Sequence, residues 1–257
     1  MKSKPVRKLS PETSPPFSAL DKVAARALSE VALRVRALKD NPDPRAIEML
    51  FDAAIGGDPL ACRTVAKALV ENGVAPERIC DVYIPAIARR MGEDWSVDEL
   101  SFSSVTIGTA RLQYLLRELG PSNSTEVRWD DENDMQSVLL LLARDVDHTL
   151  GVMVLANQLR RRGFSVKLSI GEDAEHLMST LNDSKFDAIF LSACQTDDLE
   201  GLSGLVTQIK MTIKKPAPII LGGYIVEQDL DVKALTGVDK VTSVLDEALA
   251  FCSLKAS

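Results

Sequence analysis

The sequence predicts an α/β protein: an N-terminal helical bundle followed by a flavodoxin-like, five-stranded parallel sheet of Rossmann type. Three observations carry this. Apolar residues recur every three or four positions through the first half, and no strand-like alternation interrupts them. From Ser137 onward, short apolar runs alternate with helical stretches, the pattern of βα units in a parallel sheet. Between the halves, residues 122–134 are polar and acidic (Asp130, Asp131, Glu132, Asp134) and lack helical periodicity, as an interdomain linker does. The expected partition is a flexible tail at 1–16, a helical cap at 17–120, a linker at 121–135 and a sheet domain at 136–257.

The helical half divides at its breakers. Residues 17–39 carry an apolar stripe, with Asn41-Pro42 as the stop. Residues 45–55 form a second helix, ended by Gly56-Gly57. Asp58-Pro59 opens a third that runs to Gly73, and Pro76-Glu77 starts a fourth reaching about Met91. Residues 101–119 form a fifth, closed by Gly120-Pro121.

In the second half, residues 137–143 are a continuous apolar run, as for a strand buried on both faces. A helix at 148–162 ends at Gly163. Strand 165–170, helix 174–182, strand 187–193, helix 199–213 and strand 218–221 follow, the last running into Gly222-Gly223. A further helix, a short strand at 240–242 and a helix at 244–254 complete the chain. Five such units fit the strand order 2-1-3-4-5.

Composition narrows the function. A net charge of −7 argues against a general nucleic-acid binder and suits protein contact better. No apolar run approaches a membrane span. The opening residues lack the apolar stretch of a secretory signal, and the scattered cysteines (Cys62, Cys80, Cys194, Cys252) form no CxxC pair, so a reducing cytoplasm is expected. Neither a Walker-type loop nor Gly-x-Ser-x-Gly occurs, and Asp197, Asp198 and Glu200 read as a solvated helix start. No enzyme is expected. Imidazole chemistry must use His148 or His176, and His176 falls within a helix.

In a sheet of order 2-1-3-4-5, ligands bind beyond the carboxyl ends of the strands, where strands one, three and four are neighbours. After the first strand comes Asp145-Val146-Asp147-His148-Thr149-Leu150-Gly151; the third delivers Ser192 and Cys194, the fourth Gly222, Gly223 and Tyr224. A histidine at a strand exit binds a metal through one nitrogen while a carboxylate orients the other. Paired glycines let a bulky group approach the backbone, although Gly-Gly after a strand is more often just a turn.

These residues resemble the cobalamin-binding domains of the methionine synthase and methylmalonyl mutase type. That pattern is Asp-x-His-x-x-Gly, a Ser-x-Leu or Ser-x-Thr about forty residues later, then Gly-Gly some twenty-five further on. Here 40 residues separate Gly151 from Ser192, and 27 separate Cys194 from Gly222. The resemblance implies that His148 is the lower axial cobalt ligand, that Ser192 hydrogen-bonds the displaced base, and that Gly222 and Gly223 make room for the nucleotide tail. Two positions depart from the pattern. Val146 stands where Asp is usual, leaving Asp145 or Asp147 to supply a carboxylate, and Cys194 stands for Leu or Thr.

The helical half resembles the cap over the upper corrin face in methionine synthase-like proteins and light-sensing cobalamin repressors. Gly92-Glu93-Asp94-Trp95 fits its Gly-x-x-Trp, so the resemblance places Trp95 over the cofactor. A core tryptophan at a helix end fits the same residues. Val105 and Thr106 align with the Glu-His of those repressors, so an upper histidine ligand is missing. Residues 95–113 and the His-Thr-Leu-Gly run are most similar to the aerobic photosynthesis regulators of purple bacteria, the AerR/PpaA type. That resemblance implies a light-responsive antirepressor that takes hydroxocobalamin or adenosylcobalamin and binds a redox-responsive transcriptional repressor. Two alternatives stay open: a corrinoid methyl carrier serving separate methyltransferases, and a haem sensor using the same histidine.

Overall fold

The computed structural model describes residues 42–120, 135–142, 149–194, 198–213 and 217–255. The expected helix at 17–39, residues 121–134 of the linker and residues 143–148, which include Asp145, Val146, Asp147 and His148, lie outside the described residues.

The helical part comprises α1 (Pro44–Ile55), α2 (Ala61–Glu71), α3 (Pro76–Arg78), a π-helical turn at Ile79–Tyr83, α4 (Ile84–Ser96) and α5 (Phe102–Leu119). From Pro76 to Ser96 the chain is one helical run, and its widened turn has a local cause. Pro85 has no N–H to offer the Asp81 carbonyl, and its ring excludes that oxygen, so the turn before it opens. The run passes the expected end near Met91, because Gly92 costs a helix only about 1 kcal/mol. It stops at Val97-Asp98, where Asp98 turns left-handed at φ 59°. Trp95 therefore sits in the last turn of α4. Ser101 caps α5, its side chain accepting a hydrogen bond from the Ser104 N–H.

The sheet part runs β1 (Ser137–Leu142), α6 (Thr149–Arg161), β2 (Ser165–Ile170), α7 (Ala174–Asp183), β3 (Ala188–Ser192), α8 (Leu199–Thr212) and β4 (Ile219–Gly222). It continues through a 3-10 turn at Tyr224–Glu227, α9 (Val232–Thr236), β5 (Lys240–Val241) and α10 (Leu245–Phe251). The five parallel strands lie in the order β2-β1-β3-β4-β5, as the βα alternation predicts. Strand alternation splits the core. Val138, Leu140 and Leu142 of β1 pack with α6 and α10, whereas Leu139 and Leu141 pack with α7, α8 and α9.

Helix α6 joins the two parts. Val152, Ala156 and Leu159 press on the sheet, while Leu150 and Val154 belong to the core of the helical bundle. Polar clasps reinforce the second contact. Gln113 Nε2 donates to Thr149 Oγ1 at 2.8 Å, Asn157 Nδ2 donates to the Leu116 carbonyl at 3.3 Å, and Arg161 pairs with Asp81 of the π turn.

Candidate functional site

Strand register brings the motif ends together. Leu142 pairs with Ser192, and Ser192 with Gly222, so the last residues of β1, β3 and β4 form one row.

Beside this row a slot of about 190 Å³ opens between α6 and α10. Gly151, Ser192, Gly222 and Gly223 all line it, from three separate stretches of sequence. An apolar cavity of about 150 Å³ admits benzene. The slot thus has room for a small aromatic group. Its walls are mostly apolar (Leu155, Phe190, Ile220, Ala248), with a few polar groups from Gln158, Thr242 and Ser243.

The glycines do different things. A Cβ on Gly151 meets nothing within 4 Å, so its missing side chain is open space. A Cβ on Gly223 would lie 2.3 Å from the Ala193 carbonyl oxygen, and the backbone there has φ 95°. Gly223 is therefore required by the close approach of β3 and β4, whatever occupies the slot. Gly222 is intermediate: a Cβ would come within 3.0 Å of the Thr242 oxygen.

Three slot residues carry no motif. Gln158 follows Gly151 by two helical turns on one face of α6, a signal present in the sequence. Thr242 and Ser243 follow β5, the last strand to present its carboxyl end.

The other predicted residues are placed as follows. Thr149 and Leu150 open α6, Leu150 buried against the bundle. Cys194 is half-buried just beyond β3, and Tyr224, 47 % exposed, begins the 3-10 turn. Trp95 is 46 % exposed with its ring centroid 6.3 Å from that of Phe102, itself 68 % exposed. Val105 packs against the bundle core, while Thr106 is exposed and donates to the Phe102 carbonyl at 2.8 Å. Phe102, Thr106 and Gln113 fall on one stripe of α5, leading from the aromatic pair to Thr149. His176 is exposed on α7, and the Asp198 side chain caps α8 through the Glu200 N–H at 3.0 Å.

A larger cavity, about 700 Å³, lies on the opposite face of the sheet between α7 and α8, over Leu141, Leu177 and Leu202. Among the described residues, none of the motif positions lines it. Three of the four thiols are poorly suited to chemistry. Burial pushes the thiols of Cys80 and Cys252 up to about 11 and raises that of Cys62, so these are poor nucleophiles at neutral pH.

Comparison with known proteins identifies the domain. A model of the B12 binding domain matches residues 137–249. An uncharacterized 20.5 kDa protein from the bchF-crtJ intergenic region of Rhodobacter capsulatus is 33 % identical over 183 residues, 70 % of this chain and 93 % of that protein. The Methanosarcina barkeri monomethylamine corrinoid protein shares the fold with a TM-score of 0.63 at 15 % identity, over 79 % of this chain and 94 % of its own. The chain belongs to the B12-binding domain family, and within it to the AerR/PpaA type. Among the described residues, no helix is long and apolar enough to cross a membrane.

Proposed function

We propose that this protein is a cobalamin-dependent, light-responsive regulator that acts by binding a redox-responsive transcriptional repressor, and that it is not itself an enzyme. The observation that carries the cofactor half is the convergence of Gly151, Ser192, Gly222 and Gly223 on one slot sized for an aromatic base. Haem has no nucleotide tail and would leave that slot without a purpose. The regulatory half is supported by the relative from the bchF-crtJ region, which agrees with the photosynthesis-gene role of the AerR/PpaA type.

The residues present fit cobalamin. In this reading the slot takes the dimethylbenzimidazole tail, with the Ser192 hydroxyl as its hydrogen-bonding partner and Gly151 as the open side of the entrance. His148, one residue before α6 in the sequence, would hold the cobalt, and the exposed Trp95–Phe102 pair would contact the corrin. When bound, cobalamin would supply light-sensitive ligand exchange at its cobalt. The protein's part would be to hold the cofactor through α6 while Trp95 of α4 and Phe102 of α5 sense its bound state. A shift of Trp95 changes the surface offered to the repressor.

A corrinoid methyl carrier is the second reading, favoured by the fold it shares with the corrinoid protein of M. barkeri. The test is a visible spectrum of the purified protein with hydroxocobalamin, dark and illuminated, beside His148→Ala and a parallel haemin sample. The loaded protein is then added to a repressor–operator complex. Retained, His148-dependent corrin and light-dependent release of the repressor are expected. Methyl transfer to the corrinoid-loaded protein, with no effect on the repressor, would replace the regulator by the carrier.

A further inference from the structure

The slot between α6 and α10 has a shallow and a deep level. Phe190 pairs with Ile220 two residues before Ser192 pairs with Gly222, so the first pair lies about 7 Å further from the carboxyl ends of the strands. Helix α6 runs back beside the strands from those carboxyl ends to the start of β2. Gln158 follows Gly151 by two turns on the same face, about 10 Å along the helix. Gly151 thus stands at the mouth, and Gln158 at the depth of Phe190 and Ile220.

Four polar side chains line the slot, Ser192, Gln158, Thr242 and Ser243, and they are not equivalent. Thr242 is committed elsewhere: its hydroxyl donates to Glu247 Oε2 at 2.9 Å and accepts from the Val244 N–H at 3.1 Å. Ser192 stands in the shallow row, and Ser243 is exposed. Gln158 is half-buried on a wall that is otherwise apolar. Among the described residues, its amide has no hydrogen-bond partner. A base that fills the slot with its imidazole nitrogen on Ser192 turns its opposite edge toward Gln158 and takes the amide out of water. A methyl-bearing edge offers the amide nothing in return, whereas a hydroxyl or amino group replaces the lost bond. A site that can hydrogen-bond a group discriminates against the analogue lacking it.

We propose that Gln158 is a specificity-determining residue for the base of the nucleotide tail: it reads the far edge of the base, and favours a corrinoid with a hydrogen-bonding group there over one with methyl groups. The inference rests on the cobalamin reading above and refines which corrinoid of that class the slot holds best. Dimethylbenzimidazole still fits, but it leaves the Gln158 amide unpaired.

The experiment titrates the full chain with hydroxocobalamin, with its analogue carrying 5-hydroxybenzimidazole, and with cobinamide, which lacks the base. The ratio of the first two dissociation constants is compared between wild type and Gln158→Met, so that differences between the free ligands cancel. Wild type should favour the hydroxylated base by about 2- to 12-fold more than Gln158→Met does. Methionine suits a helix as well as glutamine does, and unchanged binding of cobinamide checks that the variant is folded. Equal ratios in the two proteins would overturn this inference alone, with the tail still in the slot. Cobinamide bound by wild type as tightly as hydroxocobalamin would take the base out of the slot and the inference with it. Retention of no corrinoid by wild type would overturn the cobalamin reading itself.

Discussion

Two faces of one helix, α6, have been treated in opposite ways. The face toward the bundle is closed: Leu150 and Val154 fill it, and Gln113, Asn157 and Arg161 clasp it. The face toward the slot is left open by Gly151, whose absent side chain meets nothing. Such a helix loses little by carrying a glycine, because its stability comes from the closed face. The difference separates residues that build the fold from residues that build the site, although both sit within one short motif.

The largest effect is expected where a glycine is demanded by backbone. Gly223→Val places a side chain against the Ala193 carbonyl at a positive φ. Unfolding should cost about 3–5 kcal/mol less than in wild type, read by urea denaturation. An unchanged midpoint would mean that β3 and β4 do not approach as closely as described. Next comes the closed face: Leu150→Ala removes a side chain that is 7 % exposed in the bundle core and should destabilise by about 2–3 kcal/mol.

Gly151→Leu sharpens the contrast. An exposed helical glycine replaced by leucine should leave stability equal or raised by about 0.5–1 kcal/mol. Yet the new side chain enters the slot mouth. Affinity for hydroxocobalamin should fall at least about tenfold, corresponding to about 1.4 kcal/mol, while cobinamide, which lacks the nucleotide tail, should bind as to wild type. Equal losses for both ligands would place the tail elsewhere.

The fold and the site differed in how far the sequence exposed them. Strand order followed from the alternation of apolar runs, because a parallel sheet buried on both faces leaves few topologies. That Ser192 and Gly222 would be neighbours was legible because each ends a strand at the switch point. Gln158 was only half legible, as its two-turn spacing from Gly151 has no meaning until a slot is known. The clasps were not legible at all: Gln113 and Thr149 are 36 residues apart, and Asp81 and Arg161 are 80 apart. No local periodicity encodes such pairs. The π turn that presents Asp81 follows from Pro85, a residue that marks disruption without saying which kind.

The smallest effect tests whether the bundle's own clasps are independent of the slot. Arg90 Nη1 donates to Glu48 Oε2 at 2.6 Å, and its guanidinium lies 3.8 Å from the Phe51 ring centroid, tying α4 to α1. The hydrogen bond from Arg90 holds the Glu48 carboxyl below its ordinary value. A depressed carboxylate pKa adds stability that is full above the unfolded value, near 4.3, and is lost as pH falls through the lower folded value. Glu48→Gln should therefore be slightly less stable than wild type at pH 7, and the gap should close as pH falls below the ordinary carboxylate range. Because the pair is exposed, the gap should also shrink in added salt. Hydroxocobalamin affinity at pH 7 should be the same in both proteins, since neither side chain reaches α6 or the slot. A drop in affinity would mean that the bundle's internal packing reaches the slot through α6, and that the closed face of that helix is not purely structural.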